Sequence, residues 1–358
     1  MVGNAKGTVL FVTRKWPPAV GGMETYSKRL TEELTRFAEV DVLALPGRAD
    51  GMTPGWLQLA SFGLVTAFKL LARKPAQVTH LGDMAIWPLG LIAKLRSAKT
   101  RLVMSAHGTD VSYPLRGGVK ARVYGSYLRL GARLLPSVSV IANSRATRDA
   151  AGTYGFRDTQ IVNLATDAIE AKADHKPGKH LLFAGRLIKL KGLAWFVEQV
   201  LPLLADDITI RVAGTVWDAD EGAALQHERV HFLGPLSQAD LRHEYAAALC
   251  VVIPNIAVPS GQFEGFGLIA TEAAAAGGVT LAADHGGLID AVMDGVTGFL
   301  VASGNAEAWA KKIADVSAWS PKKRAGFVQS AIQATRQHYS WARVAEETFA
   351  SYRAGPAS

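Results

Sequence analysis

Cysteine is nearly absent from this 358-residue chain, which holds only Cys250. A single thiol excludes an intramolecular disulfide and a zinc site built from several cysteines. Cys250 lies in the apolar run 247–253, where a free cysteine is usually buried, so we expect it in a strand inside the protein. A chain without disulfides suits a reducing compartment.

Long hydrophobic runs are absent as well. A helix that spans a bilayer needs ~20 apolar residues. The longest candidates, Leu57–Leu71 and Ala85–Leu95, are too short or are interrupted by Pro88. The first residues show neither the apolar core nor the cleavage pattern of a signal peptide. We therefore expect a cytoplasmic location.

Acidic residues are scarce in the first part of the chain. Residues 1–165 hold 22 Lys and Arg against 10 Asp and Glu, whereas the remainder holds 17 against 21. The cations in or beside two predicted helices are Lys69, Arg73, Lys74, Arg116, Lys120, Arg122, Arg129 and Arg133. The first of these helices also has an apolar face. Such surfaces favour peripheral docking on the anionic inner face of a membrane, although ordinary sheet-covering helices with solvated rims carry the same pattern. No recognised motif for nucleic acid accompanies the charge.

Strand and helix patterns alternate in two successive series. The first runs from a strand at 8–13 to a strand at 138–142, and the second from a strand at 180–184 to a helix at 288–293, with a further helix predicted over 193–204. Continuous apolar strands are typical of parallel sheets that are covered on both faces. The sequence therefore predicts two doubly wound domains, with ligands bound at the carboxyl ends of the strands. A polar linker is predicted at Asp167–Lys179.

Two carboxylates, Glu264 and Glu272, stand eight positions apart around a glycine-flanked turn. The amides of Phe266, Gly267 and Leu268 would begin the helix that follows, and such a helix N-terminus favours anions. Glu272 would lie roughly 7 Å further along that helix. This offset suits a diphosphate at the amides and a ribose at Glu272. A surface pair of glutamates is the plainer alternative.

A second segment, Gly185-Arg186 followed by Lys191-Gly192, also ends a strand and opens a helix. The guanidinium of Arg186 and the ammonium of Lys191 could converge on phosphate oxygens. They would neutralise a departing nucleoside diphosphate without a metal ion. A solvated basic loop would show the same residues.

Two segments of the first series are weaker signals. His107 follows a strand and could contact a reacting sugar, although a lone histidine is more often structural. The pair Gly21-Gly22, within Pro17–Glu24, would let the backbone approach phosphate or acceptor at a helix start. It is neither a G-x-G-x-x-G fingerprint nor a Walker loop, which disfavours nicotinamide and ATP chemistry.

Asp218-Ala219-Asp220 matches the D-x-D pattern of metal-dependent glycosyltransferases. It lies in an acidic loop, and acidic loops are commonly only solvated. The single-sheet folds that use the pattern would not need the second alternating series. We therefore expect no metal site here.

Together these segments resemble glycosyltransferase family 4, whose members are retaining enzymes of the GT-B fold. Gly286-Gly287 and Asp294–Val301 resemble the C-terminal region of the family. Asp290 departs from the usual Glu, Gly278 from a common proline, and Asn163–Asp167 matches the family's turn only loosely. These departures bear on the donor sugar.

The resemblance implies an α/β architecture of two Rossmann-like, doubly wound parallel-sheet domains facing across a cleft. Residues 1–165 would form the acceptor-binding domain and 166–338 the nucleotide-sugar-binding domain. Residues 339–358 would form a helix that crosses back to the first domain.

The resemblance also implies roles for the motif residues. Arg186 and Lys191 would hold the donor diphosphate, Glu272 the ribose and Glu264 the donor sugar hydroxyls. His107 would lie beside the transferred sugar, and Gly21-Gly22 would flank phosphate and acceptor. No cofactor or metal is expected.

The predicted activity is transfer of a hexose (mannose, glucose, galactose or an N-acetylhexosamine) from a UDP-sugar or GDP-sugar. The acceptor would be a lipid-linked compound or an oligosaccharide in the synthesis of cell-surface polysaccharide or glycolipid. The alternatives are another GT-B enzyme, such as a phosphorylase or a sugar-nucleotide epimerase, and a non-catalytic protein that binds nucleotide sugars.

Overall fold

The structure is a computed structural model that describes residues 7–19, 21–48, 54–167 and 178–353. The chain divides into two compact units: residues Met1–Leu164 with Trp341–Ser358 form the first unit, and Ala165–Ser340 form the second unit. Residues 168–177, which make up most of the predicted linker, lie outside the described residues. Val20, next to the predicted pair Gly21-Gly22, also lies outside them.

The first unit contains a six-stranded parallel sheet in the order β2-β1-β3-β4-β5-β6. Its strands are β1 (Thr8–Trp16), β2 (Glu39–Pro46), β3 (Val78–Leu81), β4 (Arg101–Ala106), β5 (Ser139–Ala142) and β6 (Thr159–Ile161). Its α-helices are α1 (Gly22–Leu34), α2 (Trp56–Ala72), α3 (Trp87–Arg96), α4 (Thr109–Ser112), α5 (Gly118–Leu134), α6 (Arg145–Thr153) and, from the end of the chain, α14 (Trp341–Arg353).

The strand order reverses after β1, because β2 lies on one side of it and β3 on the other. Parallel crossovers are right-handed almost without exception, so α2, α3, α5 and α6 cover one face of the sheet and α1 covers the other. Helix α14 packs against α1. The reversal opens a crevice beyond the carboxyl ends of β1 and β3, where doubly wound sheets bind ligands.

The second unit repeats this plan with the parallel order β12-β11-β10-β7-β8-β9. Its strands are β7 (His180–Ala184), β8 (Thr209–Ala213), β9 (Val230–Gly234), β10 (Cys250–Ile253), β11 (Thr280–Ala283) and β12 (Phe299–Val301). Its α-helices are α7 (Leu193–Trp195), α8 (Ala219–Ala223), α9 (Gln238–Ala247), α10 (Leu268–Ala275), α11 (Leu288–Ala291), α12 (Ala306–Ser317) and α13 (Pro321–His338). The reversal lies between β7 and β10.

Burial of the central strands confirms the prediction from their apolar sequences. The side chains of β10 are fully covered, Cys250 among them, and burial raises the pKa of its thiol to about 12. The predicted α-helix over 193–204 is wrong in form: one α turn is followed by a π-helical turn at Phe196–Val200 and a 3₁₀ turn at Leu201–Leu203. Pro202 lacks the amide that would continue an α-helix. The helix predicted over 288–293 ends at Ala291.

Helix α2 is long and apolar but does not meet the requirements of a membrane span. Within the described ranges, no helix is long and apolar enough to cross a membrane.

Candidate functional site

Lys191 and Glu264 form an ion pair at the switch point of the second sheet. The Lys191 ammonium donates to Glu264 Oε2, and both side chains are largely covered. Lys191 follows β7 and Glu264 follows β10, the two strands between which the order reverses. The structure therefore brings together two residues that are 73 positions apart in the sequence.

The loop that carries Lys191 is held by close backbone packing. Gly192 adopts φ +71°, and a Cβ at this position would lie 2.2 Å from the Pro254 carbonyl oxygen. The Ile256 amide donates to the Leu190 carbonyl at 3.1 Å. Because only glycine fits this conformation and approach, Gly192 fixes where the ammonium of Lys191 lies.

Glu264 is an ionised carboxylate at neutral pH. Burial alone would raise the pKa of Glu264, but the charge and hydrogen bond of Lys191, with the charge of Arg186, lower it below the ordinary value. An ionised carboxylate only accepts hydrogen bonds. It can therefore bind hydroxyl groups of a ligand, but it does not supply a proton.

Helix α10 begins beside this carboxylate. Gly267 caps the helix with φ +98°, in the left-handed region that favours glycine. The Gly287 amide donates to the Glu264 carbonyl at 2.8 Å, and a Cβ on Gly287 would lie 2.2 Å from the Gly265 oxygen. The first amides of a helix have no intrahelical acceptor. These contacts fix where α10 begins, and the anion site at Phe266, Gly267 and Leu268 stays a prediction.

Glu272 lies in the middle of α10 and is half-buried. Burial raises its pKa, the charge of Asp167 adds to this effect, and the charge of Arg242 opposes it. The nearly covered hydroxyl of Tyr245 faces Glu272: it makes no hydrogen bond of ordinary geometry, yet burial and the carboxylate raise its pKa well above the ordinary value. Because Tyr245 is 1% exposed, Glu272 is the one of the two groups that a ligand can contact.

Arg186 differs from Lys191 in its surroundings. It is exposed, and its guanidinium carbon lies 5.2 Å from the ring centroid of Trp217, itself 67% exposed. The indole nitrogen donates to Thr215 Oγ1 at 2.9 Å. Stacking on an aromatic ring preorganises the guanidinium while leaving its in-plane donors for phosphate oxygens.

The Asp218-Ala219-Asp220 segment has a local structural role. Asp218 caps α8, because its Oδ1 accepts a hydrogen bond from the Asp220 amide at 3.0 Å. No group of three or more His, Cys, Asp or Glu side chains in the part of the chain that the structure describes is arranged to hold a metal ion.

His107 lies at the carboxyl end of β4 in the first unit and is half-buried. Its Nε2 lies 2.9 Å from the Gly82 carbonyl oxygen. A carbonyl only accepts, so Nε2 carries the proton and Nδ1 of the neutral ring is an acceptor. The edge of the Tyr26 ring contacts His107 at a centroid distance of 4.7 Å. Tyr26 lies on α1, which begins at the predicted pair Gly21-Gly22, so the pair and His107 share one end of the sheet.

A buried chain of hydrogen bonds supports this histidine. Tyr26 Oη lies 2.9 Å from Ser105 Oγ, which lies 2.8 Å from His80 Nε2, and His80 Nδ1 lies 2.6 Å from Tyr352 Oη. Burial, reinforced by the charge of His107, lowers the pKa of His80 to about 3. His80 is therefore neutral at physiological pH and acts as a fixed link between α14 and the strands below His107.

Arg14 and Asp83 form a second ion pair at the switch point of the first sheet. Arg14 Nε lies 3.0 Å and 3.2 Å from the two oxygens of Asp83, which is fully buried. Nearby, Asp110 accepts from the His107 amide at 2.9 Å, and burial raises the pKa of this carboxyl group. Arg14, Asp83 and Asp110 thus lie between the crevice at β1 and β3 and the loop after β4 that carries His107.

Sequence patterns alone did not indicate several of these residues. Arg14 and Asp83 are single charged residues. Their position at the ends of strands was the feature of the sequence that could have identified them. Asn255 follows β10, is fully buried, and its side-chain amide faces Glu264, whose pKa it helps to lower. Tyr245 and Trp217 meet their charged partners only through tertiary packing.

Two family models match the chain, one in each unit. Residues 21–165 match the glycosyl transferase 4-like domain, and residues 178–318 match the glycosyl transferases group 1 model. A D-inositol 3-phosphate glycosyltransferase of Mycobacterium avium is 35% identical over 179 residues, which are 44% of this chain and 41% of that protein. The chain thus spans less than half the length of this curated relative.

Solved structures match over nearly the whole chain. Anabaena HepE in complex with UDP and glucose has a TM-score of 0.71 at 20% identity, covering 97% of this chain and 99% of that chain. Sucrose-phosphate synthase from Thermosynechococcus elongatus has a TM-score of 0.72 at 20% identity, covering 97% and 98%. These similarities show the GT-B fold, in agreement with the two parallel sheets. Because both halves match their models, the chain belongs to the GT4-like glycosyltransferase family.

Proposed function

We propose that this glycosyltransferase moves a hexose from a nucleoside diphosphate sugar to a lipid-linked or oligosaccharide acceptor with retention of configuration. The observation that carries the proposal is the Lys191–Glu264 pair at the start of α10, where the second sheet reverses. Cations and the first amides of α10 would face the position where doubly wound sheets bind ligands.

The donor diphosphate would lie against Lys191, Arg186 and the first amides of α10. When the glycosidic bond breaks, negative charge develops on the departing diphosphate. Groups fixed beforehand at that position stabilise the transition state without reorganising, and one such donor is often worth about 3 kcal/mol. Because these cations and amides would stabilise the developing charge, the reaction would need no metal ion. Activity should therefore persist in a chelator such as EDTA.

Glu264 and Glu272 would bind the two sugars of the donor. Glu264 is ionised and would accept hydrogen bonds from hydroxyls of the transferred hexose. Glu272, further along α10 and beside Tyr245, would accept from the ribose. The fold neighbour HepE was solved with UDP and glucose, which favours a uridine donor over the guanosine alternative.

Retention would come from attack on the face that the diphosphate leaves, with a phosphate oxygen taking the acceptor proton. Glu264 is already bonded to Lys191, which suits binding better than nucleophilic attack. His107, with Nδ1 as an acceptor, would orient a hydroxyl of the transferred sugar. Trapping of a covalent glycosyl-enzyme adduct would contradict this mechanism.

The acceptor domain would approach an anionic membrane through α2, α3 and α5. Their outer surfaces expose apolar side chains, and no Asp or Glu occurs in these three helices. Basic residues near anionic lipid contribute about 1 kcal/mol each. We expect flotation with phosphatidylglycerol vesicles but not with phosphatidylcholine vesicles. The double change Leu64→Glu and Phe68→Glu should abolish it, whereas Leu203→Glu and Phe232→Glu in the second unit should not.

A thermal-shift panel with UDP, GDP and ADP tests the donor site directly. A nucleotide at 100 times its Kd should stabilise the folded protein by about 2.7 kcal/mol, which corresponds to about 5–10 °C for a unit of this size. The shift should appear with one nucleotide and disappear in Arg186→Ala and Glu272→Ala. No shift with any nucleotide would contradict the proposed site.

Turnover separates the proposal from its alternatives. A transferase consumes a nucleotide sugar and glycosylates the acceptor. An epimerase would convert the donor without an acceptor, a phosphorylase would require inorganic phosphate, and a binding protein would shift in the thermal assay without turnover. Product analysis with a lipid-linked acceptor distinguishes these outcomes.

A further inference from the structure

A cavity of about 470 Å³ lies between α2 and α3 in the first unit. Its wall is almost entirely apolar. The residues that line it include Arg14, Gly63, Ala67, Ala85 and Tyr127. Pockets of about 300–1,000 Å³ are typical of small-molecule sites. None of the motif residues that define the candidate site lies in this wall.

One cation is placed among these apolar side chains. Arg14 lies at the carboxyl end of β1, beside the switch point of the first sheet, and pairs with the buried Asp83 through Nε. Among the described residues, no hydrogen bond involves its two terminal NH₂ groups. The Tyr127 hydroxyl, on the same wall, donates to the Ala85 carbonyl at 2.7 Å. The polar end of the cavity thus adjoins the crevice that leads to His107.

Helices α2, α3 and α5 present an outer surface that is both apolar and basic. On α2 the exposed residues Leu57, Leu64, Phe68 and Leu71 recur at helical spacing on one stripe, and Leu64 is 75% exposed. On α5 a similar stripe consists of Val119, Val123, Leu130 and Leu134. Between these two helices lies α3, which exposes Leu95 and carries Lys94 and Arg96.

We propose that the cavity between α2 and α3 binds the hydrocarbon chain of a lipid phosphate, with Arg14 bound to its phosphate group. This inference rests on the proposed function in so far as the lipid is the glycosyl acceptor. The hydrocarbon chain of the lipid would enter from the apolar outer surface of α2, α3 and α5. The phosphate would lie at the carboxyl end of β1, next to the His107 loop.

The chemistry of the wall selects this class of ligand. The cavity excludes a free sugar, because burying hydroxyl groups against apolar walls without hydrogen bonds is unfavourable. A hydrocarbon chain gains from the same walls in proportion to the area buried. The terminal NH₂ groups of Arg14 can donate to two oxygens of one phosphate. A lipid phosphate therefore matches both the apolar wall and the guanidinium of Arg14.

Dodecyl phosphate below its micelle concentration is the probe, and isothermal titration calorimetry without donor is the measurement. We expect one molecule to bind per chain, more tightly than dodecanol, and no binding of inorganic phosphate at the same concentrations. Failure of the wild-type protein to bind dodecyl phosphate overturns the proposal. Equal binding of dodecanol and dodecyl phosphate overturns the role of Arg14.

Gly63→Phe blocks the cavity with little strain. A Cβ at Gly63 meets no atom within 4 Å, and the residue lines the cavity. We expect at least about tenfold weaker binding of dodecyl phosphate, the equivalent of about two methylenes left unburied. The matched control is Gly326→Phe on α13, where a Cβ also meets nothing. Ala67→Phe is a second blocking variant, and unchanged binding in both Gly63→Phe and Ala67→Phe contradicts the proposal.

Transfer assays distinguish failure of this inference from failure of the proposed function. Gly63→Phe should lose transfer to a long-chain lipid acceptor but keep both the nucleotide thermal shift and transfer to a short-chain, water-soluble analogue. If the wild-type protein binds dodecyl phosphate but glycosylates neither acceptor, the proposed function fails while the lipid site stands. Equal transfer to both acceptors by Gly63→Phe and the wild type overturns the inference alone.

Discussion

Glu264 is a partly covered carboxylate that stays ionised because Lys191 lies against it. The pair places a negative charge beside the groups that we propose to bind phosphate, where an unpaired carboxylate would repel the donor. Lys191 therefore compensates Glu264 and, in the proposed function, would also stabilise the departing diphosphate. Substitutions at Lys191 should separate the two effects.

Lys191→Met should reduce kcat/KM by about a hundredfold or more, because one preorganised cation is lost from the transition state. Without the ammonium, burial would dominate and the pKa of Glu264 would rise. The acid limb of the pH–rate profile should then move to higher pH, since Glu264 would lose its charge at a higher pH than in the wild type. Lys191→Arg should keep the limb in place, and an unmoved limb in Lys191→Met would contradict the pairing.

His80 predicts a specific dependence of stability on pH. Its pKa is lowered from 6.5 to about 3 by burial and by His107, so the unfolded chain binds a proton that the folded protein does not. The stabilisation is complete above about pH 6.5 and is lost as pH falls towards 3, by about 1.4 kcal/mol per pH unit. Denaturant unfolding of the wild type between pH 6 and pH 4 measures this slope.

His80→Asn should reduce the slope of the free energy of unfolding against pH by about 1.4 kcal/mol per pH unit. This change in slope is expected whatever the effect of the substitution on stability at neutral pH. Identical slopes in the wild type and His80→Asn would show that His80 is not held neutral in the folded protein.

At the residue scale, sequence patterns indicated local motifs and missed long-range partners. Glu264 and Lys191 were each foreseen from glycine-flanked turns, but their direct contact depends on how β7 and β10 pair. Asn255 could not be foreseen, because a buried amide has no pattern of its own. The roles assigned to His107, Arg186 and Glu272 stay predictions until the variants are measured.

At the element scale, the loop between β11 and α11 packs against the segment Glu264–Leu268, which leads into α10. The Gly287 amide donates to the Glu264 carbonyl, and its α-carbon packs against the Gly265 backbone. Gly287→Ala would drive a methyl group against the Gly265 oxygen. We expect a loss of about 1–3 kcal/mol in the free energy of unfolding, together with a weaker nucleotide thermal shift because Glu264 and the α10 amides move.

Gly326→Ala is the counterpart on α13. A Cβ there meets open space, so the change should stabilise the protein by about 0.5–1 kcal/mol through helix propensity alone. Chemical denaturation measures both variants. A Gly287→Ala protein as stable as Gly326→Ala, with wild-type nucleotide binding, would show that the loop is not closely packed.

The strands of both sheets were more predictable than the helices. Continuous apolar runs identified β1, β7 and β10, because parallel strands are covered on both faces. Helices α12 and α13 and strand β9 were not predicted, since their amphipathic or polar patterns resemble loops until the partner surfaces are known. The irregular turns over 193–204 were predicted as one helix because apolar spacing does not distinguish α from π or 3₁₀ turns.

At the scale of the whole molecule, the sequence asymmetry in charge coincides with two separate cores. The first core includes α14, whose Tyr352 hydroxyl bonds His80 and whose Phe349 stacks on Phe37. The second core includes Trp309, fully buried with its indole nitrogen donating to the Ala302 carbonyl at 3.2 Å. Each core can therefore be weakened by one aromatic substitution without touching the other.

Calorimetry of two matched variants should expose this division. Tyr352→Ala and Trp309→Ala each remove a buried aromatic side chain, at a cost of about 3–5 kcal/mol. Tyr352→Ala should lower the transition of the first unit, and Trp309→Ala that of the second. Because the donor site is proposed in the second unit, the preferred nucleotide should raise only the transition that Trp309→Ala lowers. If both variants lower one common transition and nucleotide raises it in each, the two cores unfold as one cooperative structure.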